Sequence, residues 1–587
     1  MYGRAFLLLL AVCSAAGSEL SQSAYLDVQE KFHIEWQYTD ENVTITATVK
    51  TTGWFGIGFS PNGGMGGADI ITASVINGKA FLQDRYSEKN GFPTMDISQD
   101  VELLSGSEVN GVTTVKFTRK HNTCDDRDMV IGTDTMRVIY AISPDGRDAL
   151  SYHTPFNRGT RSIYLRKEFI PTQDLPADAF TFDVAVDNID IPAYHTMYYC
   201  ELKRIPKLSG KHHIIKVKPL IQEENLGLVH HIILYGCHDS ISREKYFEQN
   251  NTGFDCYNAN MPNDIDVCRA PINIWAVGGG TTFYPKEAGY PLGGDNSPDY
   301  FMMEVHYDNP KLISGKKDSS ALQVTVTKTL RQYDVGVIST GGIFGLTVPP
   351  RADDFTTSVF CPGSCTRKLV KQDLKVFGAF LHGHLAARQV IARQFRNGTE
   401  VRTIDEDRHY DFNYQQYRVF KTPIDLKPGD DVMVQCHYNT EDRTKMTYGG
   451  LPTSAEMCLT YLYYYPAQDI SDCFTMPGWA GFGPDITRRY LNEQLGYPKS
   501  SMGNMDTTSL LAKLTSDGFW TKEKIKKLQD DHLTFLHKPI CFDNARRYQN
   551  IGSTYGAPKA AQKAPAKREF EEDCSKAASK APNSIVG

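Results

Sequence analysis

The sequence predicts an all-β protein: an N-terminal β-sandwich, two further β-sandwich lobes of jelly-roll character, and a short, partly helical C-terminal tail. Three observations predict it. Apolar and polar residues alternate with period two across 32–50. Short apolar runs recur between Gly, Pro, Asn and Asp clusters from about 175 to 485. Long stretches of helical periodicity are scarce in the 587 residues.

The first unit is placed at 25–165. Phe32, Ile34, Trp36 and Tyr38 alternate with polar neighbours, and Val43, Ile45, Ala47 and Val49 do so against Thr44, Thr46 and Thr48. Period two puts one set of side chains on a buried face and the other in water. Val112–Phe117 and Val138–Ile142 read as further strands. The two lobes are placed at 175–325 and 326–485, with strands expected at Ile214–Val217, His231–Tyr235, Phe301–His306, Val376–Leu381 and Val432–His437. The tail is 486–587. Within it Ile525, Leu528, His532, Leu533 and Leu536 fall near helical spacing, and the Ala-, Pro- and Lys-rich stretch 556–568 is expected to be a mobile linker.

Residues 1–17 read as a signal peptide: Arg4 precedes an apolar centre from Phe6 to Cys13, and Ala15, Ala16 and Gly17 are small enough for cleavage. The expected destination is the secretory pathway, with the protein secreted or lumenal in the endoplasmic reticulum or secretory vesicles. No later run of 18 apolar residues exists, so no transmembrane span is expected. Setting aside Cys13 leaves twelve of the 13 cysteines, an even number suited to disulfides in an oxidising compartment. Asn42, Asn250 and Asn397 begin glycosylation sequons. A net charge of −6 without a clustered basic surface argues against a nucleic-acid partner.

The histidines carry the chemical signal. His230-His231 opens an apolar strand, His306 sits in Glu304-Val305-His306-Tyr307, and His382-Gly383-His384 follows a strand ending in Phe380-Leu381. Met457 stands beside Cys458 at the start of another apolar run. Any one of these residues is more often a hydrogen-bonded or core side chain than a ligand. Together, on strands of one secreted region, they point to a metal. His382 and His384 share a strand face, whereas His230 and His231 leave opposite faces and need a bulge or strand end to converge. Imidazoles joined by a soft thioether favour copper cycling through the reduced ion.

At these residues the chain resembles the copper type II, ascorbate-dependent monooxygenases, most closely the dopamine-β-hydroxylase-like members that begin with a DOMON domain. The runs Leu228-Val229-His230-His231, Glu304 through Pro310, Tyr438 through Arg443, and Ser454-Ala455-Glu456-Met457-Cys458 carry the resemblance, which spans about 25–575. It implies two copper ions per subunit in two distinct pockets: His230, His231 and His306 around an electron-transfer ion, and His382, His384 and Met457 around the ion that meets dioxygen, the co-substrate. His382 would also be an active-site residue, as would Tyr198 in Met197-Tyr198-Tyr199-Cys200. The implied disulfides are Cys200–Cys256, Cys237–Cys268, Cys361–Cys473, Cys365–Cys541, Cys436–Cys458 and Cys124–Cys574. No counterpart of the family's interchain cysteines is present, so any homodimer is expected to be non-covalent.

The activity so implied is hydroxylation of an aliphatic carbon, with ascorbate as external reductant. The peptide-amidating members place an arginine and an asparagine where this chain has Phe380 and Leu459, and phenylalanine cannot clamp a carboxylate. Tyr461 is retained but carries no charge. A small phenethylamine-like amine is therefore the expected substrate. The alternatives are a non-enzymatic copper carrier of the same fold and a hydroxylase of a non-amine substrate. In the N-terminal domain Met65 and His153 are candidate axial haem ligands and Asp69 a candidate cation neighbour. The default there is a structural or docking role.

Overall fold

The computed structural model describes residues 22–166, 174–238, 243–258, 261–294, 297–343, 345–476, 519–565 and residue 574. The signal peptide expected over 1–17 lies outside them, as do 486–518 of the expected tail. The chain forms two compact units, one of residues 1–166 with 568–587, the other of 167–567.

The first unit is a two-sheet sandwich. One sheet runs Gln22–Tyr25, Phe32–Tyr38, Asn42–Val49, Val112–Lys120, Val101–Val109; the other runs Arg158–Ile163, Met136–Ile142, Phe55–Ser60, Ala68–Ile76, Lys79–Ser87, Thr94–Met95. Period-two alternation produces the expected burial: Val43, Ile45, Ala47 and Val49 are buried while the threonines between them are half-buried. They pack with Phe32, Ile34 and Trp36 against Phe55, Ile57 and Phe59 of the facing sheet.

The second unit is almost wholly β. Its first lobe has a five-stranded sheet in the order Gly253–Asp255, β1 (Thr196–Arg204), β3 (Tyr300–Asp308), β2 (Val229–Cys237), Ala270–Ala276. A second sheet containing His212–Leu220 and Ala321–Thr327 shares its core through Ile214, Val217, Val324 and Val326. The second lobe has a seven-stranded sheet whose centre is β4 (Leu374–Gly383) beside β5 (Cys458–Tyr465), and a four-stranded sheet built on Asp431–Tyr438 and Ala387–Arg396. The lobes are not insulated. Phe377, Phe380, Tyr461, Tyr463 and Tyr465 of the second lobe belong to the same apolar cluster as the first lobe's Ile232, Leu234, Ile274 and Val305.

The C-terminal region departs from expectation. Helix α1 (Lys522–Thr534) forms where the apolar spacing placed it, with Thr521 Oγ1 capping Lys524 N and Leu528 buried. The segment after it is no appendage. β6 (Leu536–Phe542) joins the seven-stranded sheet by pairing with Asp472–Met476. The described part of the expected mobile linker, 556–565, is anchored at Ala561, which is 1% exposed against Phe360, Phe395 and Met433, while 566–568 lie outside the described residues. The fully buried Arg393 donates to the carbonyls of Ala561 and Lys563 at 3.5 and 3.0 Å. Alanine, which suggested a linker by composition, is small enough here to seat a backbone turn on an aromatic floor.

Candidate metal centre

β2 is buried along its whole length and pairs with β3. Val229 faces Tyr307 and His231 faces His306, so the register shifts by one residue and His230 is the extra one. This bulge defeats the alternation that would send neighbouring histidines to opposite faces. The result is a three-imidazole cluster whose ligand atoms all lie within 4.8 Å of one another. The Nδ1 atoms converge: His231 Nδ1 is 3.4 Å from that of His230 and 3.4 Å from that of His306. The outer nitrogen of His230 is occupied, since Nε2 lies 3.0 Å from the Phe412 carbonyl, which can only accept. That bond puts the proton on Nε2 and leaves the Nδ1 lone pair facing inward.

His382 is the last residue but one of β4 and His384 follows the strand, their rings perpendicular and 5.3 Å apart. The residue between them must be glycine, because a Cβ on Gly383 would stand 2.8 Å from that of Ala387. Here Nδ1 is the tethered atom. His382 Nδ1 bonds to Gln415 Oε1 at 2.8 Å and His384 Nδ1 to the Ala455 carbonyl at 3.2 Å. Both rings therefore present Nε2, and that of His384 is buried without a partner, as is His306 Nε2. Cys458 pairs with Gly383 across β5 and β4, which brings Met457 alongside the same strand end. Met457 and His382 line one cavity, together with Tyr198, His231, Phe380, Leu459 and Tyr461.

The two ligand sets adjoin instead of forming the separate pockets expected. His231 meets His382 edge to face at 5.3 Å, and His306 lies 6.5 Å from His384. The cause is the packing of the two lobes, which abuts the ends of β2 and β3 against those of β4 and β5. Burial drives every imidazole toward its neutral, ligating form. His382 is pushed down to about 4, and His230 to about 3 by burial and then by His382. His231, His306 and His384 lie well below the ordinary range, again chiefly through burial. Neutral imidazoles whose inward nitrogens face one another or, as at His384 Nε2, lack a partner fit a soft or borderline metal ion.

Tyr198 of β1 stacks flat on His306 at 4.3 Å, and its hydroxyl is buried without a partner. Burial pushes the phenol well above its ordinary range. Several supporting residues were not singled out from sequence. Glu456 is fully buried, and its carboxylate accepts from the backbone N–H groups of His384 and Ala386 at 3.0 and 2.5 Å. Burial raises it to about 7. The Phe412 ring stacks on His230 at 3.9 Å, and Gln415 Nε2 donates to the Phe412 carbonyl, so one short segment steadies a ring from each set. Glu456 stands inside a run already noted for its resemblance. Phe412 and Gln415 had no local signal.

All six disulfides have both partners described: Cys124–Cys574, Cys200–Cys256, Cys237–Cys268, Cys361–Cys473, Cys365–Cys541 and Cys436–Cys458. Asn250 and Asn397 are exposed in turns, and Asn42 is half-buried at a strand start. In the first unit, Met65 and His153 line one cavity of about 820 Å³, while Asp69 is ion-paired with Arg119.

Residues 182–314 match the N-terminal domain of the copper type II ascorbate-dependent monooxygenases, 333–479 match the C-terminal domain, and 28–143 match the DOMON domain. DBH-like monooxygenase protein 1 of Homo sapiens is 36% identical over 473 residues, covering 79% of this chain and 76% of its own. DBH-like monooxygenase protein 2 of Mus musculus is 34% identical over 542 residues, 90% of this chain and 83% of its own. Dopamine beta-hydroxylase of Homo sapiens is 31% identical over 488 residues, 81% and 78%.

Proposed function

Because the chain belongs to the copper type II ascorbate-dependent monooxygenase family, we propose that it hydroxylates an aliphatic carbon of a small phenethylamine-like amine in the secretory pathway. The observation that carries the reading is the tethering of the imidazoles. His230 is held through Nε2, His382 and His384 through Nδ1, and in each case the opposite nitrogen is the one left to a metal. His230, His231 and His306 would hold one copper ion, and His382, His384 and Met457 a second. Copper bound there would supply one electron per ion, refilled by ascorbate, together with activation of dioxygen.

The chain's own residues prepare the site around that chemistry. Gln415 and the Ala455 carbonyl keep the Nδ1 protons of His382 and His384 turned away from the centre. The Met457 thioether favours the reduced ion. Tyr198, stacked on His306 with an unspent hydroxyl, is the residue able to offer a hydrogen bond beside the cleft. Phe380, Leu459 and Tyr461 make the adjoining wall, which offers no cation to a peptide carboxylate. Among the described residues no helix is long and apolar enough to cross a membrane.

The test is metal analysis of the secreted protein, followed by ascorbate-dependent product assays with tyramine, dopamine and a glycine-extended peptide. Two coppers per chain and turnover of the amines are expected. Preference for the peptide would overturn the substrate class. Two bound coppers with ascorbate-driven oxygen uptake and no hydroxylated product would make the protein a carrier.

A further inference from the structure

The cavity beside Met457 and His382 is about 30 Å³, room for one or two waters. Pockets that take small organic ligands are roughly ten times larger or more. A substrate therefore enters only when something in the wall moves. Among the described lining residues Tyr257 is the one that is exposed, at 42%, while Tyr198, Tyr235, Glu304, Phe380, Leu459 and Tyr461 are all buried. Tyr257 is thus the mouth of the cavity: its hydroxyl donates to Glu304 Oε2 at 2.7 Å, and its ring lies against the Arg269 guanidinium at 4.3 Å.

Glu304 is the only carboxylate among those lining residues. Behind it Arg269 Nη1 reaches the same oxygen at 3.1 Å while Nη2 binds Asp266 at 2.6 Å. One guanidinium is divided between the buried Glu304 and the half-exposed Asp266, so it offsets the Glu304 carboxylate only in part. Both hydrogen bonds to Glu304 fall on Oε2, which leaves acceptor capacity on Oε1. Four tyrosine rings, 198, 235, 257 and 461, line the same space. A carboxylate with residual charge among aromatic faces is the chemistry that receives an alkylammonium.

Resting on the hydroxylase reading above, we infer that Glu304 is the residue that recognises the substrate's ammonium group and that Tyr257 is its gate. The ammonium takes the place of the Tyr257 hydroxyl on Glu304, and the released ring opens the cavity. A charge-assisted bond to a buried carboxylate outcompetes a neutral phenol by about 10- to 100-fold. A neutral molecule of the same shape offers Glu304 no more than the phenol already gives, so selection for amines is built into the entrance.

The experiment measures binding, not turnover, on the full-length copper-loaded protein: calorimetric titration with 2-phenylethylamine and with its neutral isostere 2-phenylethanol. The wild type is expected to prefer the amine by about 10- to 100-fold. Glu304→Gln should reduce that preference to near unity. Tyr257→Phe, which removes the latching hydroxyl and keeps the ring, should tighten the amine several-fold and ease entry of the alcohol as well, since the latch then bars neither. Equal binding of the two ligands by the wild type, or an undiminished preference in Glu304→Gln, overturns the assignment. Should Glu304→Gln fail to fold for want of a partner to Arg269, Tyr257→Phe decides alone, and weaker amine binding there rejects the gate. Amine preference with no ascorbate-dependent hydroxylation supports this recognition role and removes the enzymatic reading instead.

Discussion

The imidazoles of His231 and His382 meet edge to face, 5.3 Å between ring centres, where the two lobes of the second unit join. Two ligand sets that touch cannot be independent, and Phe412 and Gln415 tie His230 and His382 into one hydrogen-bonded path. His231→Ala and His382→Ala are each expected to lower copper from two ions per chain to one. The losses in affinity should not add: contacting residues typically couple by about 0.5–3 kcal/mol. Copper titration of the two single variants and the double variant measures this coupling. Additivity within about 0.5 kcal/mol would mean the sets work apart.

Met457→His keeps a ligand at the strand end beside Gly383 but exchanges a soft donor for a borderline one, which no longer favours the reduced ion. Copper content near two per chain with hydroxylation abolished is the expected result. Near-normal turnover would remove the thioether's role.

Strand periodicity bore on two points of this centre, while the grouping into two ligand sets and the choice of Tyr198 came from the family resemblance. Strand geometry put His382 and His384 on one side and asked for a bulge or a strand end at His230-His231, and the register shift after Val229 is the bulge. What stayed hidden depends on contacts made by distant segments. Phe412 lies 182 residues from the ring it holds, and nothing around Gln415 marks it as the partner of His382. The contact between the two ligand sets was equally invisible, because it follows from how two lobes pack. Composition misled at 557–561, where alanines pointed to a linker and instead Ala557, Ala560 and Ala561 fill a small gap over Phe360 and Phe395.

Cys436–Cys458 closes a loop of 22 residues and anchors the residue next to Met457. Both cysteines are fully buried. Replacing the pair by alanine should cost about 3 kcal/mol of stability from loop entropy alone. Because Cys458 pairs with Gly383, the same change should weaken copper at the His382, His384 and Met457 set more than at the other. Denaturant unfolding and copper titration test the two effects. Equal weakening of both sets would show that the disulfide acts only on global stability.

The acidic cluster of the first unit sets a pH dependence of unusual sign. Asp69, Asp84 and Asp128 bring carboxylate oxygens within 4.8 Å of one another, with Arg119 as the ion-paired cation. Burial, then repulsion from Asp69 and Asp128, raises Asp84 to about 8; Asp128 is raised to about 6, again mainly by burial. A carboxyl with a raised folded-state pKa binds its proton more tightly folded than unfolded. Its contribution to stability is therefore full below the ordinary carboxylate range, near 4, and is lost as pH rises through about 8. Thermal unfolding of the first unit should shift to lower temperature between pH 5 and pH 8, where most paired carboxylates would give no change. Asp84→Asn carries no proton to lose, so it should flatten the profile and melt above the wild type at pH 8. An unchanged slope in that variant would place the proton elsewhere in the cluster.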